Sequence, residues 1–193
     1  MVADMAGISR KDAKTVNLGI MYGMGVNKMA GVLDTTVEDA KELLNEYHEK
    51  VPFVRGLATM VSNHASENGQ IRTILGRKCR FPLWEPKTFG IHKPLPLEQA
   101  IREHGRTSIK RAFTYKALNR LIQGSSADQT KKAMLDCYKA GYLPMLQVHD
   151  ELCFSIKTDD QVEEITGIME NCVDAKVPFK VDCAVADNWG QVD

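Results

Sequence analysis

Met145-Leu146-Gln147-Val148-His149-Asp150-Glu151-Leu152-Cys153-Phe154-Ser155-Ile156 holds two apolar runs, Met145 to Val148 and Leu152 to Ile156, parted only by His149-Asp150-Glu151. Runs this short on either side of a polar triplet predict two strands meeting at a turn. A helix from about Asp159 to Asp174 and a last strand from Val177 to Val185 are expected after them. Before them, a helical stretch is expected to open after Gly105, to break at Gly124-Ser125-Ser126, and to resume from Asp128 to Gly141, where glycine is a natural stop.

Further upstream, Ser9 with Asp12 three residues on predicts the start of a helix running to about Met21. Tyr22-Gly23-Met24-Gly25 breaks that pattern. Asp34 to Thr36 reads as the cap of a second helix with Ala40, Leu43, Leu44 and Tyr47 on one face, ended by Val51-Pro52. A third helix runs from about Phe53 to Asn68-Gly69. Gln70 to Phe81 reads as a hairpin with Leu75-Gly76 in its turn, and Pro82, Pro86, Pro94 and Pro96 mark an irregular connection. There is no internal repeat and no low-complexity segment. The expected class is α+β, divided into residues 1–69, 70–106 and 107–193.

With 44% hydrophobic and 26% charged residues in 193, the chain is globular in composition, and no apolar run approaches the roughly 18 residues that span a bilayer. No membrane partner is expected. The start has no basic stretch followed by an apolar block, so neither a secretory nor a transit peptide is expected and the setting reads as cytoplasmic. Five scattered cysteines, never spaced C-x-x-C, argue against a disulfide framework or a zinc site. The net charge of zero hides a segregation: residues 70–120 hold twelve Lys or Arg against three Glu, and residues 121–193 hold six basic against thirteen acidic. A local +9 suits a polyanion, although a solvated basic surface has the same composition.

Three patterns carry chemistry. Arg10, Lys14, Leu18 and Tyr22 recur every four residues, so they form a slowly drifting stripe on one helix face. Two cations near a helix N-terminus attract a triphosphate, and an exposed basic face is the alternative. Asn119 and Gln123 stand one helical turn apart, so both amides can reach one groove and meet the sequence-independent acceptors of a DNA minor groove; an ordinary surface pair has the same spacing. Asp150 and Glu151 place adjacent carboxylates at what is expected to be a buried strand tip. Such a tip needs a counter-cation, and hard oxygen ligands select Mg²⁺; a solvated polar turn is the alternative.

The string from Arg10 to Gly23 resembles the fingers helix of family A DNA polymerases, the group of bacterial polymerase I and many phage replicative enzymes. The family pattern is R, three residues, K, three residues, an aromatic, three residues, then Y-G, and the chain departs from it at Leu18. Gln147 to Leu152 resembles the family's palm motif, Asn119 to Asp128 its N-x-x-x-Q-G helix, Ile71 to Arg80 its T-x-x-G-R-R segment, and Asp187-Asn188-Trp189-Gly190 its usual ending. The matches keep the family's order. Tyr115 stands where the family often has an arginine.

The resemblance implies a helical fingers segment followed by part of an antiparallel-sheet palm, an incomplete polymerase fold. It implies that Arg10 and Lys14 hold the incoming triphosphate, with Lys14 also protonating pyrophosphate, and that Leu18 and Tyr22 border the nucleotide. Asp150 becomes the metal ligand and Glu151 its electrostatic support, while His149, Arg77, Asn119 and Gln123 contact DNA. The implied activity is a DNA-directed DNA polymerase acting on primer-template DNA and deoxynucleoside triphosphates with Mg²⁺, in the cytoplasm of a bacterium or phage-infected host. No D-Y-S-x-x-E string for an earlier palm strand is present, so the chain reads as a fragment or one half of a split enzyme. It is then expected to need an amino-terminal segment that supplies that strand and the thumb. A non-catalytic DNA-binding remnant is the alternative. A small metal-dependent hydrolase using His149 and Asp150 lacks further ligands.

Overall fold

A computed structural model describes residues 9–191 except Tyr22, in two compact units, the first running to Gln123 and the second starting at Gly124. The chain is α+β: helices dominate, and the sheets have two or three antiparallel strands.

The first unit opens with helices α1 (Arg10–Met21), α2 (Val26–Leu33), α3 (Val37–Lys50) and α4 (Pro52–Asn68). Ala13, Val16 and Ile20 of α1 recur at three and four residues, so they share a face. That face is buried with Met29, Ala30, Ala40, Tyr47, Val51 and Val54. Thr36 caps α3 as expected, its Oγ1 accepting from the Asp39 N–H at 3.1 Å. The hydroxyls of Thr36 and Thr35 donate in return to the Asp39 carboxylate, at 2.7 and 3.0 Å, and hold its pKa below the ordinary value. Pro52 occupies the first turn of α4, where its missing N–H costs nothing.

Helix α2 lies where the sequence pattern shows only a break. Met29 and Ala30 pack into the core of α1 and α3, and Asp34 ends the helix in the left-handed region at φ 51°. Burial of those side chains outweighs the flanking glycines.

Strands β1 (Gln70–Arg72) and β2 (Lys78–Arg80) form the expected hairpin, with Ile71 opposite Cys79. The proline-marked connection is more ordered than its composition suggests. Strand β3 (Leu83–Pro86) pairs on one side with β4 (Leu95–Pro96) and on the other with β5 (Ile109–Arg111), and α5 (Leu97–His104) follows β4. Pro86 ends β3 and Pro96 immediately precedes α5, positions where proline breaks no ladder.

Arg111 ties these pieces together. Its Nε donates to Ser66 O in α4 at 3.0 Å, one terminal nitrogen donates to Phe81 O at 3.2 Å, and the guanidinium lies 4.5 Å from the centre of the Trp84 ring. A Cβ on Gly69 would stand 2.7 Å from that guanidinium, and Gly69 also has φ 68°. Glycine is therefore required there twice, once to stop α4 and once to admit Arg111.

The long helix α6 (Ala117–Lys139) begins later than expected, after short 3₁₀ turns at Arg106–Ser108 and Thr114–Lys116, and it runs unbroken through Gly124-Ser125-Ser126. A helical glycine costs about 1 kcal/mol against alanine. Buried Ala117 and Leu118 before it, and Asp128, Ala133 and Cys137 after it, hold the helix on both sides of that weak point.

In the second unit β6 (Pro144–Val148) and β7 (Glu151–Phe154) pair antiparallel, and α7 (Asp159–Asn171) follows as expected. The cysteines are free thiols, and Cys172 Sγ donates to Gln129 O at 3.7 Å, joining the end of α7 to α6. Among the described residues no helix is long and apolar enough to cross a membrane.

Residues 177–185 form no strand. Their alternating apolar pattern finds no strand to pair with; instead the Val181 N–H donates to Glu170 Oε1 at 3.1 Å and Lys180 Nζ lies 3.2 Å from Glu170 Oε2. The Val181 N–H, and then Lys180, hold the Glu170 pKa below its ordinary 4.5. A depressed carboxyl contributes above its ordinary pKa and loses that contribution as the pH falls through the lowered value. The Val181 amide proton shift, followed by NMR, should titrate with a midpoint below 4.5 and lose that transition in Glu170→Gln.

Candidate functional site

Of the stripe on α1, Lys14 and Leu18 face away from the core. Lys14 is exposed and Leu18 keeps 42% of its surface, while Ala13, Val16 and Ile20 on the other side are buried. The Arg10 side chain and Tyr22 lie outside the described residues. Asn17, between the two faces, accepts a 2.8 Å hydrogen bond at Oδ1 from the hydroxyl of Tyr47, whose side chain is buried in the core. That bond fixes the rotation of α1 about its axis, and with it the direction of Lys14 and Leu18. No local pattern could have revealed the pair, since the partners are thirty positions apart.

The basic hairpin is built to hold its cations outward. Thr73 is buried and closes the loop: its N–H donates to Arg77 O at 3.0 Å, and its Oγ1 accepts from Arg77 N at 3.0 Å. Arg77 itself is exposed. Arg72 stands directly opposite Lys78 in the ladder, a like-charge pairing that costs stability and that a polyanion would relieve. The local +9 is not all available, because some cations are structural. Arg111 is pinned as described, Arg120 lies 4.8 Å from the centre of the Phe81 ring and 3.4 Å from Arg80 O, and Lys110 pairs with Glu85 at 3.6 Å.

Arg120 thereby ties the first turns of α6 to this hairpin. Asn119 is half-buried and Gln123 exposed, one turn apart on that anchored stretch. Lys14, Leu18, Arg77, Asn119 and Gln123 belong to the first unit, and His149, Asp150 and Glu151 to the second.

In the second unit Val148 pairs with Glu151, so His149-Asp150 is a two-residue hairpin loop. His149 has φ 54°, in the left-handed region that two-residue loops usually give to Gly or Asn. Gln147 Nε2 donates to His149 O at 2.9 Å and holds the strained peptide. His149, Asp150 and Glu151 are all exposed, which corrects the expectation of a buried tip: a sheet of only two strands has no neighbours to cover its turn. The carboxylates therefore need no counter-ion for burial. They remain hard oxygen donors, and Mg²⁺ takes one or two carboxylates with phosphate and water oxygens, so Asp150 and Glu151 fit it as part of a shell. Among the described residues no group of three or more His, Cys, Asp or Glu is placed to hold a metal.

The described parts are a two-strand tip with a carboxylate at a strained turn, a hairpin with outward cations, and a helix that exposes Lys14 and Leu18. The model of DNA polymerase family A matches residues 1–191, and the chain belongs to that family. It is 34% identical to the DNA-directed DNA polymerase of Pseudomonas phage M6, over 98% of this chain and 30% of that protein. It is 30% identical to DNA polymerase I of Rhizobium leguminosarum, over 98% of this chain and 18% of the relative. Among solved structures it resembles the POL domain of Pol1 from M. smegmatis, in complex with DNA primer-template and dNTP. There the TM-score is 0.69 and the identity 28%, over 92% of this chain and 31% of the other. The chain thus spans a third or less of these relatives' lengths.

If the His149 backbone is held against its preference, His149→Gly should raise the free energy of unfolding by up to about 1 kcal/mol, read from the urea midpoint. A lower midpoint in the variant would show that the histidine side chain stabilises the turn.

Proposed function

We propose that the chain is the nucleotide-binding and metal-binding part of a DNA-directed DNA polymerase, working with an amino-terminal segment that supplies an earlier palm strand and the thumb. The observation that carries it is the two-residue His149-Asp150 loop, which keeps a strained histidine and presents a carboxylate in a family A chain. Residues 1–69 act as fingers, 70–106 as the basic connection, and 107–193 as part of the palm.

In this assignment Arg10 and Lys14 hold the triphosphate, Leu18 packs against the sugar and Tyr22 borders the base pair. Asp150 would hold Mg²⁺, with Glu151 as its electrostatic support; when bound, the ion would neutralise phosphate charge and acidify the primer hydroxyl. The 3′-oxygen bonds to the α-phosphorus as the bond to the bridging oxygen of pyrophosphate breaks; the hydroxyl proton passes to solvent water, and Lys14 donates a proton to the departing pyrophosphate and regains one from solvent. Asn119 and Gln123 read minor-groove acceptors, and His149 and Arg77 hold the backbone.

The need for a partner segment is supported by surface that a finished fold would cover. Between Leu135 and Leu146 five large side chains, Leu135, Tyr138, Leu143, Met145 and Leu146, are exposed, and among the described residues β6 and β7 pair only with each other. A two-stranded sheet is marginal by itself, and apolar surface of this kind marks a contact. The alternative, DNA binding without chemistry, is favoured only by the small number of carboxylates at the tip. It predicts binding without extension under every condition.

Primer extension by the purified chain with Mg²⁺ and four deoxynucleotides should be absent alone and appear when the amino-terminal segment is added. Asp150→Ala in the assembled enzyme should lower extension by about a hundred-fold or more while DNA binding survives. Leucine at position 18 has no hydroxyl to replace a missing 3′-OH, so dideoxynucleotides should be incorporated poorly and Leu18→Tyr should narrow the gap. Equal deoxy and dideoxy rates in the unaltered enzyme would remove Leu18 from the sugar pocket.

A further inference from the structure

The turn from Lys87 to Pro94, between β3 and β4, is not accounted for by the polymerase assignment. Phe89 and Ile91 at its tip are fully exposed, so neither contributes to the core. The turn is nevertheless shaped. The Lys87 N–H donates to Ser108 O at 2.8 Å and its Nζ donates to Thr107 O at 2.8 Å, which fastens the entry to the segment before β5. His92 Nε2 lies 3.1 Å from Thr88 O and 3.3 Å from Thr88 Oγ1, closing the tip across Phe89-Gly90-Ile91. Gly90 has φ 142°, a conformation L side chains rarely adopt, and it separates the two apolar residues. The base is rigid, since β3 pairs with both neighbours and Trp84 carries the Arg111 guanidinium.

The turn itself carries charge of one sign: no acidic residue occurs between Glu85 and Glu98, and Lys87, His92 and Lys93 lie on either side of Phe89 in sequence. Glu85 itself is paired with Lys110. An aromatic ring held clear of the fold on a basic turn matches unpaired nucleic acid, because the π-face of a base is free to stack only when it is out of a duplex, and an adjacent phosphate lies within reach of Lys93. An apolar protein partner would have no use for the cations.

We propose that this turn is a stacking platform for single-stranded nucleic acid, with Phe89 against a base, Ile91 beside it, and Lys93 at a phosphate. The inference rests on the polymerase reading in taking DNA as the partner, and it adds a contact for unpaired strand outside the nucleotide and metal sites. Stacking on an aromatic tolerates any sequence, as an unpaired template requires.

The test is fluorescence anisotropy of the full chain with a labelled single strand and with a blunt duplex of the same sequence. Phe89→Ala should weaken single-strand binding about ten-fold or more and leave duplex binding and the melting midpoint unchanged, since the ring is outside the core. Phe89→Trp should keep the affinity and show indole quenching by the single strand, and Lys93→Gln should flatten the salt dependence. Unaltered single-strand affinity in Phe89→Ala, equal loss on both DNAs, or loss of binding to the amino-terminal polymerase segment instead would each overturn the inference. A chain that extends primers with its partner but ignores Phe89 loses this inference and keeps the polymerase assignment. One that binds no DNA loses both.

Discussion

The Arg111 guanidinium is the fixed point of the first unit. It is a charge drawn in against the fold, satisfied by two backbone carbonyls from Ser66 and Phe81 and by the face of Trp84. Half-buried, the group gains from each partner, since hydrogen bonds from a charged donor are stronger than neutral ones. The end of α4, the entry to β3 and the strand β5 are therefore held by one side chain. Gly69 is the corresponding constraint on the other side, since any larger residue would occupy the space of the guanidinium.

This anchoring divides the cations of the basic segment. Arg111 and Arg120 are engaged by backbone carbonyls and aromatic faces, while Lys78 and Arg80 are exposed on the hairpin those two arginines hold. The basic surface is thus displayed by basic residues that do not themselves belong to it. A similar economy operates on α1, where a buried Tyr47 hydroxyl sets the rotation of the helix through Asn17 and leaves Lys14 and Leu18 facing out.

The second unit concentrates its strain at one turn. His149 accepts a left-handed backbone where a glycine would be easier, and Gln147 holds its carbonyl. Strain kept in a two-residue loop beside a carboxylate is intelligible if the direction of that carboxylate matters more than the cost of the loop. The same unit exposes the large side chains Leu135, Tyr138, Leu143, Met145 and Leu146.

Local signals in the sequence determined much of this protein. The 3.6-residue period of Ala13, Val16 and Ile20, the Thr36 cap, Pro52 and Gly69 fixed the ends and faces of α1, α3 and α4, and the apolar runs around His149 specified β6 and β7. The order of the motifs also sufficed to reach the polymerase family. Tertiary packing decided the rest. Only burial of Met29 and Ala30 makes 26–33 a helix, and only packing on both sides carries α6 through Gly124. The apolar alternation at 177–185 was not enough to make a strand, because strands need a partner and Glu170 had taken the Val181 N–H. The same limit applied to the site: residue types and spacing could name Asp150 and Lys14, but the exposure of the tip, the Tyr47–Asn17 bond and the division of cations between structure and surface depend on groups far apart in the chain.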